Sequence, residues 1–245
     1  MLTDNQDAYG HLIADYYDGK EDALEIVERE DGFITASPVH PQIYFAEYSD
    51  WPEHQQRAMA YATGRILDIG SGAGRHALYL QERGHEVLGI DNSPMAIQLC
   101  RRRGLKHAQV MPITRISSNL GTFDTLLMMG SNFGLCGSFK RARWLLKRFA
   151  TLTTDTATII AETRNPYLTP DPSHLAYHQW NRERDRMGGQ IRIRVRYRHY
   201  TTPWFDYLFV SKPEMEEILH GTGWRVDGYL DADTSVYVAI LKKLG

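Results

Sequence analysis

One stretch constrains this chain more than any other: RILDIGSGAGRHALYL, Arg65 to Leu80. An apolar run carries an acid, Asp68. Gly70, Gly72 and Gly74 then follow at alternate positions, and a helical pattern begins. A strand that turns sharply into a helix through glycines opens an α/β sheet that binds a nucleotide-like ligand. The spacing narrows the ligand. A dinucleotide turn needs glycine where Arg75 stands, and a phosphate loop needs a Gly-Lys-Ser/Thr that does not follow. Asp68, two places before the first glycine, would repel a pyrophosphate but would suit an ammonium group. Asp91 ends the next strand, HEVLGID, and its two oxygens can accept both hydroxyls of a ribose. Together the two acids describe a ligand with a ribose and a zwitterionic amino-acid tail, and no phosphate.

Around this stretch the period alternates between strand and helix. RILDI and HEVLGID read as strands, followed by HAQVMPI, FDTLLMMG and ATIIAET. Between them lie helices over Arg75 to Arg83, from the Ser93-Pro94 cap to Gly104, and over FKRARWLLKRFATL, with Trp144, Leu145 and Phe149 on the buried side. Such alternation implies an open parallel sheet, because parallel neighbours need crossover connections. After Glu162 the pattern breaks. Residues 165–210 show no clear crossover helix and read as an antiparallel meander turning at Gly188-Gly189. The capping box SKPE, Ser211 to Glu214, then opens a helix, and WRVDGYL and SVYVAILKK close the chain as strands. Residues 1–62 carry helical patterning over His11 to Tyr17, Asp22 to Glu28 and Glu53 to Tyr61, and read as an N-terminal cap on a domain spanning 63–245.

With these features in view, the chain resembles the class I S-adenosylmethionine-dependent methyltransferases. ILDIGSGAG matches their first motif, LGID the acid ending their second strand, and MEEILHGTGWRVDGY their last helix and sixth strand. The resemblance covers about three-quarters of the chain. It implies a Rossmann-like, doubly wound, seven-stranded sheet, mostly parallel with the last strand antiparallel, and an antiparallel β insertion after strand 5. It also implies S-adenosyl-L-methionine as cofactor, with S-adenosyl-L-homocysteine as product. Carried over by position, Gly70 and Gly72 would let backbone approach the methionine part, with Ser71 and Gly74 in the same turn. Asp68 would lie near the ammonium group, and Asp91 would bind the ribose with Asn92 beside it. The Met129 and Gly130 backbone would contact the amino-acid end. Where many members place an acid near the adenine, this chain has VMPITRIS, so Met111 to Thr114, with Ile113 among them, would hold the base.

Composition excludes several classes. Lys+Arg 28 against Asp+Glu 30 gives no electrostatic pull toward nucleic acid. The first residues show no basic and apolar leader, no run is long enough to span a bilayer, and Cys100 and Cys136 form no CxxC pair. The expectation is a cytoplasmic protein with no membrane partner. The Asn/Asp-Pro-Pro-aromatic tetrad of amino-group DNA methyltransferases is absent where MMGSNFG stands. Glu162 is the lone acid where a Mg²⁺-dependent type needs a cluster, and His174 and His178 have metal spacing without a third ligand, so no metal is expected. Aromatics of the cap (Tyr44, Phe45, Tyr48) and insertion (Trp180, Tyr197, Trp204, Phe205, Tyr207) suit a ring-containing small-molecule acceptor or a packed layer equally well. His40, His178, His199 and Tyr167 are candidate bases.

Arg192, Arg194, Arg196 and Arg198 alternate with apolar residues, so one strand face is wholly arginine. This face reads first as solvated and paired across the strand with Glu183 and Asp185. Second, it reads as a wall for RNA, which would make the protein an RNA-modifying methyltransferase. A cofactor-binding protein without turnover is the third reading.

Overall fold

The structure is a computed structural model that describes residues 1–20, 23–36 and 41–244. Its first half contains α1 (Ala8–Tyr17), β1 (Ile26–Arg29), β2 (Ile34–Ala36), α2 (Glu53–Met59), β3 (Arg65–Ile69), α3 (Arg75–Glu82), β4 (Glu86–Asp91), α4 (Pro94–Arg102) and β5 (His107–Val110). The second contains β6 (Phe123–Met128), α5 (Phe139–Ala150), β7 (Thr153–Arg164), α6 (Pro172–Arg182), β8 (Gln190–Tyr197), β9 (Tyr200–Thr201), β10 (Phe205–Leu208), α7 (Lys212–Leu219), β11 (Trp224–Asp231) and β12 (Val236–Lys243).

The main sheet has seven strands in the order β11-β12-β7-β6-β3-β4-β5. β4 runs parallel to β5 and β6 to β7, whereas β12 is antiparallel to both β7 and β11. The doubly wound α/β fold, mostly parallel with an antiparallel last strand, is therefore present as expected. Local chemistry explains much of it. Ser93 caps α4 by accepting from the Ala96 amide at 2.9 Å, with Pro94 in the first turn. The Ser211–Glu214 box opens α7.

The chain forms two compact units. One comprises Met1–Trp51, Leu67–Ile116 and Arg192–Phe205; the other Pro52–Ile66, Ser117–Ile191 and Asp206–Gly245. In the first, a small antiparallel sheet sets β1 between β2 and β8, and β9 pairs with β8. Helix α1 buries Ala8 and Leu12 against Val195 and Tyr197 of that sheet. On its other side Ile13 joins Ala73, Ala96 and Leu99, with Tyr44 and Phe45 packed against them. In the second unit α5 turns Ala142, Leu145, Leu146 and Phe149 inward, and α7 contributes Met215, Ile218 and Leu219.

Four local expectations are corrected. The segment expected as a helix over Asp22 to Glu28 holds strand β1 from Ile26, while Asp22 lies outside the described residues. β-Branched Ile26 and Val27 gain a partner strand that a local reading cannot see: Val27 faces Val195. Residues 165–210 do contain a helix, α6, capped by Asp171 accepting from Ser173 N at 2.8 Å and started by Pro172. Its buried face is Tyr177, His178 and Asn181, too polar to register as an apolar stripe. Gly188-Gly189 is consequently the link from α6 to β8, held by Asn181 Nδ2 donating to the Gly188 and Gln190 carbonyls, and is not a hairpin tip. Trp144 is 44% exposed. It lies beside the stripe that contains Leu145 and Phe149, and its ring is covered by Arg148 one turn on.

Candidate functional site

The glycine turn between β3 and α3 is tied to the neighbouring strand. Gly70 N and Ser71 N both donate to the Ile90 carbonyl, at 2.8 and 3.0 Å. Gly72 and Gly74 adopt φ of 54° and 81°, which L side chains avoid. Space forbids a side chain as well. A Cβ on Gly72 would lie 2.8 Å from the Tyr9 hydroxyl, and one on Gly74 would lie 3.1 Å from Cys100 Sγ. Cys100, on α4, donates to the Gly72 carbonyl at 3.1 Å and has Ser71 Oγ 3.8 Å away. Burial pushes its thiol up to about 12, so it braces the turn as a neutral group and is no nucleophile. Arg75, the residue that breaks the dinucleotide pattern, donates to the Ile43 carbonyl at 2.8 Å and stacks near Trp51.

The two acids differ in their partners. Asp91 accepts from Gly72 N at 3.1 Å on one oxygen and from Ser93 N at 2.9 Å on the other. Each oxygen keeps a second lone pair for a hydroxyl. Burial raises it to about 6 against the pull of those amides. Asp68 is 3% exposed, and among the described residues its carboxylate accepts no hydrogen bond. Burial, then the charge of Asp91, raises it to about 7, partly offset by Arg75. A buried carboxylate without a donor is a costly arrangement unless a cation joins it. An ammonium-bearing ligand that also carries a ribose fits this pair.

Asn92 is exposed beside Asp91. Ile113, half-buried, starts a short 3₁₀ turn just past β5, where the Met111 amide donates to the Asp91 carbonyl at 2.7 Å. Thus Asp68, Gly70, Ser71, Gly72, Gly74, Asp91, Asn92 and Ile113 belong to one unit around the β3, β4 and β5 ends.

A family model described as "Methyltransferase domain" matches residues 66–155. Among solved structures, a SAM-dependent methyltransferase from Bacteroides fragilis in complex with S-adenosyl-L-homocysteine aligns over 100% of this chain and 98% of its own. The identity is 26% and the TM-score 0.84. The CcbJ methyltransferase from Streptomyces caelestis shares the fold, with a TM-score of 0.63 at 15% identity over 99% of this chain and 100% of that one. A 2-heptyl-1-hydroxyquinolin-4(1H)-one methyltransferase from Mycobacteroides abscessus is 40% identical over 70 residues, 26% of this chain. The chain spans only 31% of that relative's length. This chain belongs to the class I S-adenosylmethionine-dependent methyltransferases.

In this methyltransferase one residue of the glycine-turn cluster escaped the sequence reading. Tyr9, on α1, sets its hydroxyl over Gly72 and its ring edge-on to Tyr44, 5.2 Å between centroids. Burial and the neighbouring Tyr44 and Asp91 keep that hydroxyl protonated well above its ordinary range. The helix is held there by Asp7. One of its oxygens accepts from Gly10 N at 3.2 Å and the other from Met95 N of α4 at 2.9 Å. At Gly10 a Cβ would strike Ser93 and Met95, so the close docking itself requires glycine. Only the small residue in an otherwise apolar helix hinted at this.

Met129 and Gly130 follow β6 in the other unit. Gly130 and Ser131 both have left-handed backbone, φ 68° and 64°. Gly130 N donates to Glu162 Oε2 at 3.1 Å, and the Tyr207 hydroxyl donates to the Ser131 carbonyl at 2.7 Å. Glu162, 4% exposed, also accepts from Gln55 Nε2 at 2.9 Å.

The methyltransferase's candidate bases are scattered. Tyr167 donates to Glu214, and burial with that contact pushes it up to about 12, which makes it a poor proton acceptor at neutral pH. His178 is buried with its ring edge-on to Tyr167. His199 lies against Tyr200 at the β8–β9 turn, and His40 lies outside the described residues. His174 Nδ1 shares a hydrogen bond with Thr169 Oγ1, and among the described residues no three acidic, cysteine or histidine side chains gather as a metal site.

The arginine face finds its acid elsewhere than expected. Arg194 makes two bonds to Glu28 of β1, at 2.8 and 3.0 Å, and Arg196 a third at 3.3 Å. Glu183 and Asp185 end α6 instead of facing β8. Several of the aromatics expected to face either an acceptor or a core are core: Tyr197 is 2% exposed, and Tyr44, Phe45 and Phe205 pack on buried clusters.

Proposed function

We propose that this chain transfers a methyl group from S-adenosylmethionine to a small, ring-containing acceptor. The observation that carries the reading is Asp68, a buried carboxylate without a hydrogen-bond donor, placed beneath a glycine turn that presents backbone instead of side chains. In this reading Asp68 faces the ammonium group and Asp91 takes the ribose hydroxyls. Gly70, Ser71, Gly72 and Gly74 give the methionine part room, and Asn92 and Ile113 flank the nucleoside. Met129 and Gly130 enter on the sequence resemblance, at the amino-acid end. Bound there, the donor supplies an electrophilic methyl on a sulfonium, which passes to the acceptor as the carbon–sulfur bond breaks and S-adenosylhomocysteine remains. The protein's own task is to align the acceptor within about 3–3.5 Å of that methyl and exclude water. The fold by itself does not choose the acceptor.

The segment similar to a hydroxyquinolinone methyltransferase supports a small heteroaromatic acceptor. The pairing of Arg194 and Arg196 with Glu28 supports a structural arginine face over one that grips RNA. We assign acceptor choice to residues 165–210 and the 1–62 segment, around a donor domain of 63–245. No helix among the described residues is long and apolar enough to cross a membrane. Both cysteines are free and buried, which suits a reducing compartment, and the cytoplasm is the proposed location. Calorimetric titration with S-adenosylhomocysteine should show saturable binding, and Asp91→Ala should weaken it more than about tenfold, two hydroxyl contacts to a charged group being lost. A wild-type protein that does not bind would overturn the donor assignment. Transfer of labelled methyl into a metabolite extract then tests turnover, and persistent lack of transfer would favour a binding protein.

A further inference from the structure

We propose that Glu162 is a positioning residue for the donor, acting through the peptide that joins Met129 to Gly130. The inference rests on the donor reading above and adds a residue to which that reading gives no role.

Glu162 ends β7 as a buried carboxylate, 4% exposed, and burial of such a group is costly without compensating donors. Two donors converge on Oε2: Gln55 Nε2 at 2.9 Å and Gly130 N at 3.1 Å. The second has a geometric consequence. The chain contains no cis peptide among its described residues, and in a planar trans peptide the N–H and C=O point in opposite directions. Anchoring the Gly130 N–H on Glu162 therefore turns the Met129 carbonyl away from the carboxylate. Among the described residues that carbonyl accepts no hydrogen bond, although Met129 is 2% exposed. Buried carbonyls almost always have partners. A ligand ammonium, three donors on one cation, is the partner the donor reading supplies.

The turn around this peptide is held on its far side too. Ser131 is a non-glycine residue in the left-handed region, a conformation that persists where the surroundings over-determine it. Its carbonyl takes the Tyr207 hydroxyl at 2.7 Å, and the Tyr207 ring lies where a side chain on Gly134 would be. With Ser131 pinned from one side and Gly130 N from the other, the intervening carbonyl orientation is set before any ligand arrives. Preorganised acceptors of this kind strengthen binding because no reorganisation is needed on association.

The test compares two probes, S-adenosylhomocysteine and 5′-methylthioadenosine, which lacks the amino-acid end. Glu162→Ala should weaken S-adenosylhomocysteine by about tenfold or more and leave 5′-methylthioadenosine within about twofold. Glu162→Gln, whose amide oxygen can accept the same two bonds, should keep S-adenosylhomocysteine within about threefold of wild type. Glu162→Asp, too short by one methylene to reach Gly130 N, should behave like the alanine variant and serves in its place if that variant does not fold. Equal weakening of both probes would show a merely structural role and overturn the proposal. Unchanged S-adenosylhomocysteine binding by Glu162→Ala or Glu162→Asp would also overturn it, as would a glutamine variant as weak as alanine. Failure of the wild type to bind either probe would instead remove the donor reading, and this inference with it.

Discussion

Replacing Asp68 by asparagine should make the free protein more stable and the donor site worse, and pH separates the two effects. In the folded chain Asp68 is raised from 3.8 to about 7, chiefly by burial and then by the charge of Asp91. Its folded pKa lies above its unfolded one. The stability associated with the bound proton is thus fully present below about pH 4 and is lost as pH rises through about 7. At about 1.4 kcal/mol per unit the ceiling on that loss is about 4 kcal/mol. Water penetration and relaxation reduce it, so about 2 kcal/mol is expected. For a chain of this size that corresponds to a melting temperature about 4–8 °C higher for Asp68→Asn at pH 8, with little difference at pH 4.

Ligand binding moves the opposite way. An ammonium group beside Asp68 favours the ionised form, so binding below pH 7 releases a proton. Wild-type affinity for S-adenosylhomocysteine should then fall by about tenfold from pH 8 to pH 6, as the competent carboxylate becomes scarce. A smaller further fall should follow as Asp91, raised to about 6, takes up its proton. Asp68→Asn should bind weakly throughout and lose the upper part of that pH dependence. Thermal unfolding at pH 4 and 8 and calorimetry across pH 5.5–8.5 measure both. A variant with wild-type affinity and an unchanged pH profile would refute the assignment of Asp68. A melting shift equal at both pH values would refute the burial argument.

Two further variants address parts of the molecule that no motif marks. Tyr9→Phe removes only the hydroxyl set over Gly72, and it should weaken S-adenosylhomocysteine about three- to tenfold, the value of one hydrogen bond, with unchanged melting temperature; unaltered affinity would reduce Tyr9 to packing. Charge reversal at Arg194 and Arg196 should disturb their pairing with Glu28 yet leave methyl transfer to small acceptors nearly independent of salt. A steep loss of activity between low and physiological salt in the wild type, abolished in the variant, would instead point to nucleic acid.

Much of the donor site was legible because its chemistry is local. Asp68, Gly70, Gly72 and Gly74 occupy one turn, and left-handed backbone and close approach admit glycine alone, so residue identity reports geometry directly. Asp91 was legible for a similar reason, as the last residue of the next strand, and the caps of α4 and α7 announce themselves within four residues. Strand β1 was not legible, because what holds Ile26 and Val27 extended is β8, and Glu28 meets Arg194 across a chain separation of 166 residues. Helix α6 was hidden by its polar face, since periodicity detects burial of apolar groups and not of His178 or Asn181.

The sequence by itself determined the class of fold and the kind of ligand, because both follow from short-range patterns that only a few residue types can satisfy. Tertiary structure alone decided which distant groups complete the picture. Tyr9 reaches Gly72 only because Asp7 and Gly10 dock α1 on α4. Glu162 meets Gln55 from 107 residues away and holds Gly130. A hydrogen bond depends on a few tenths of an ångström between atoms that packing brings together, and no local spacing along the chain encodes that distance.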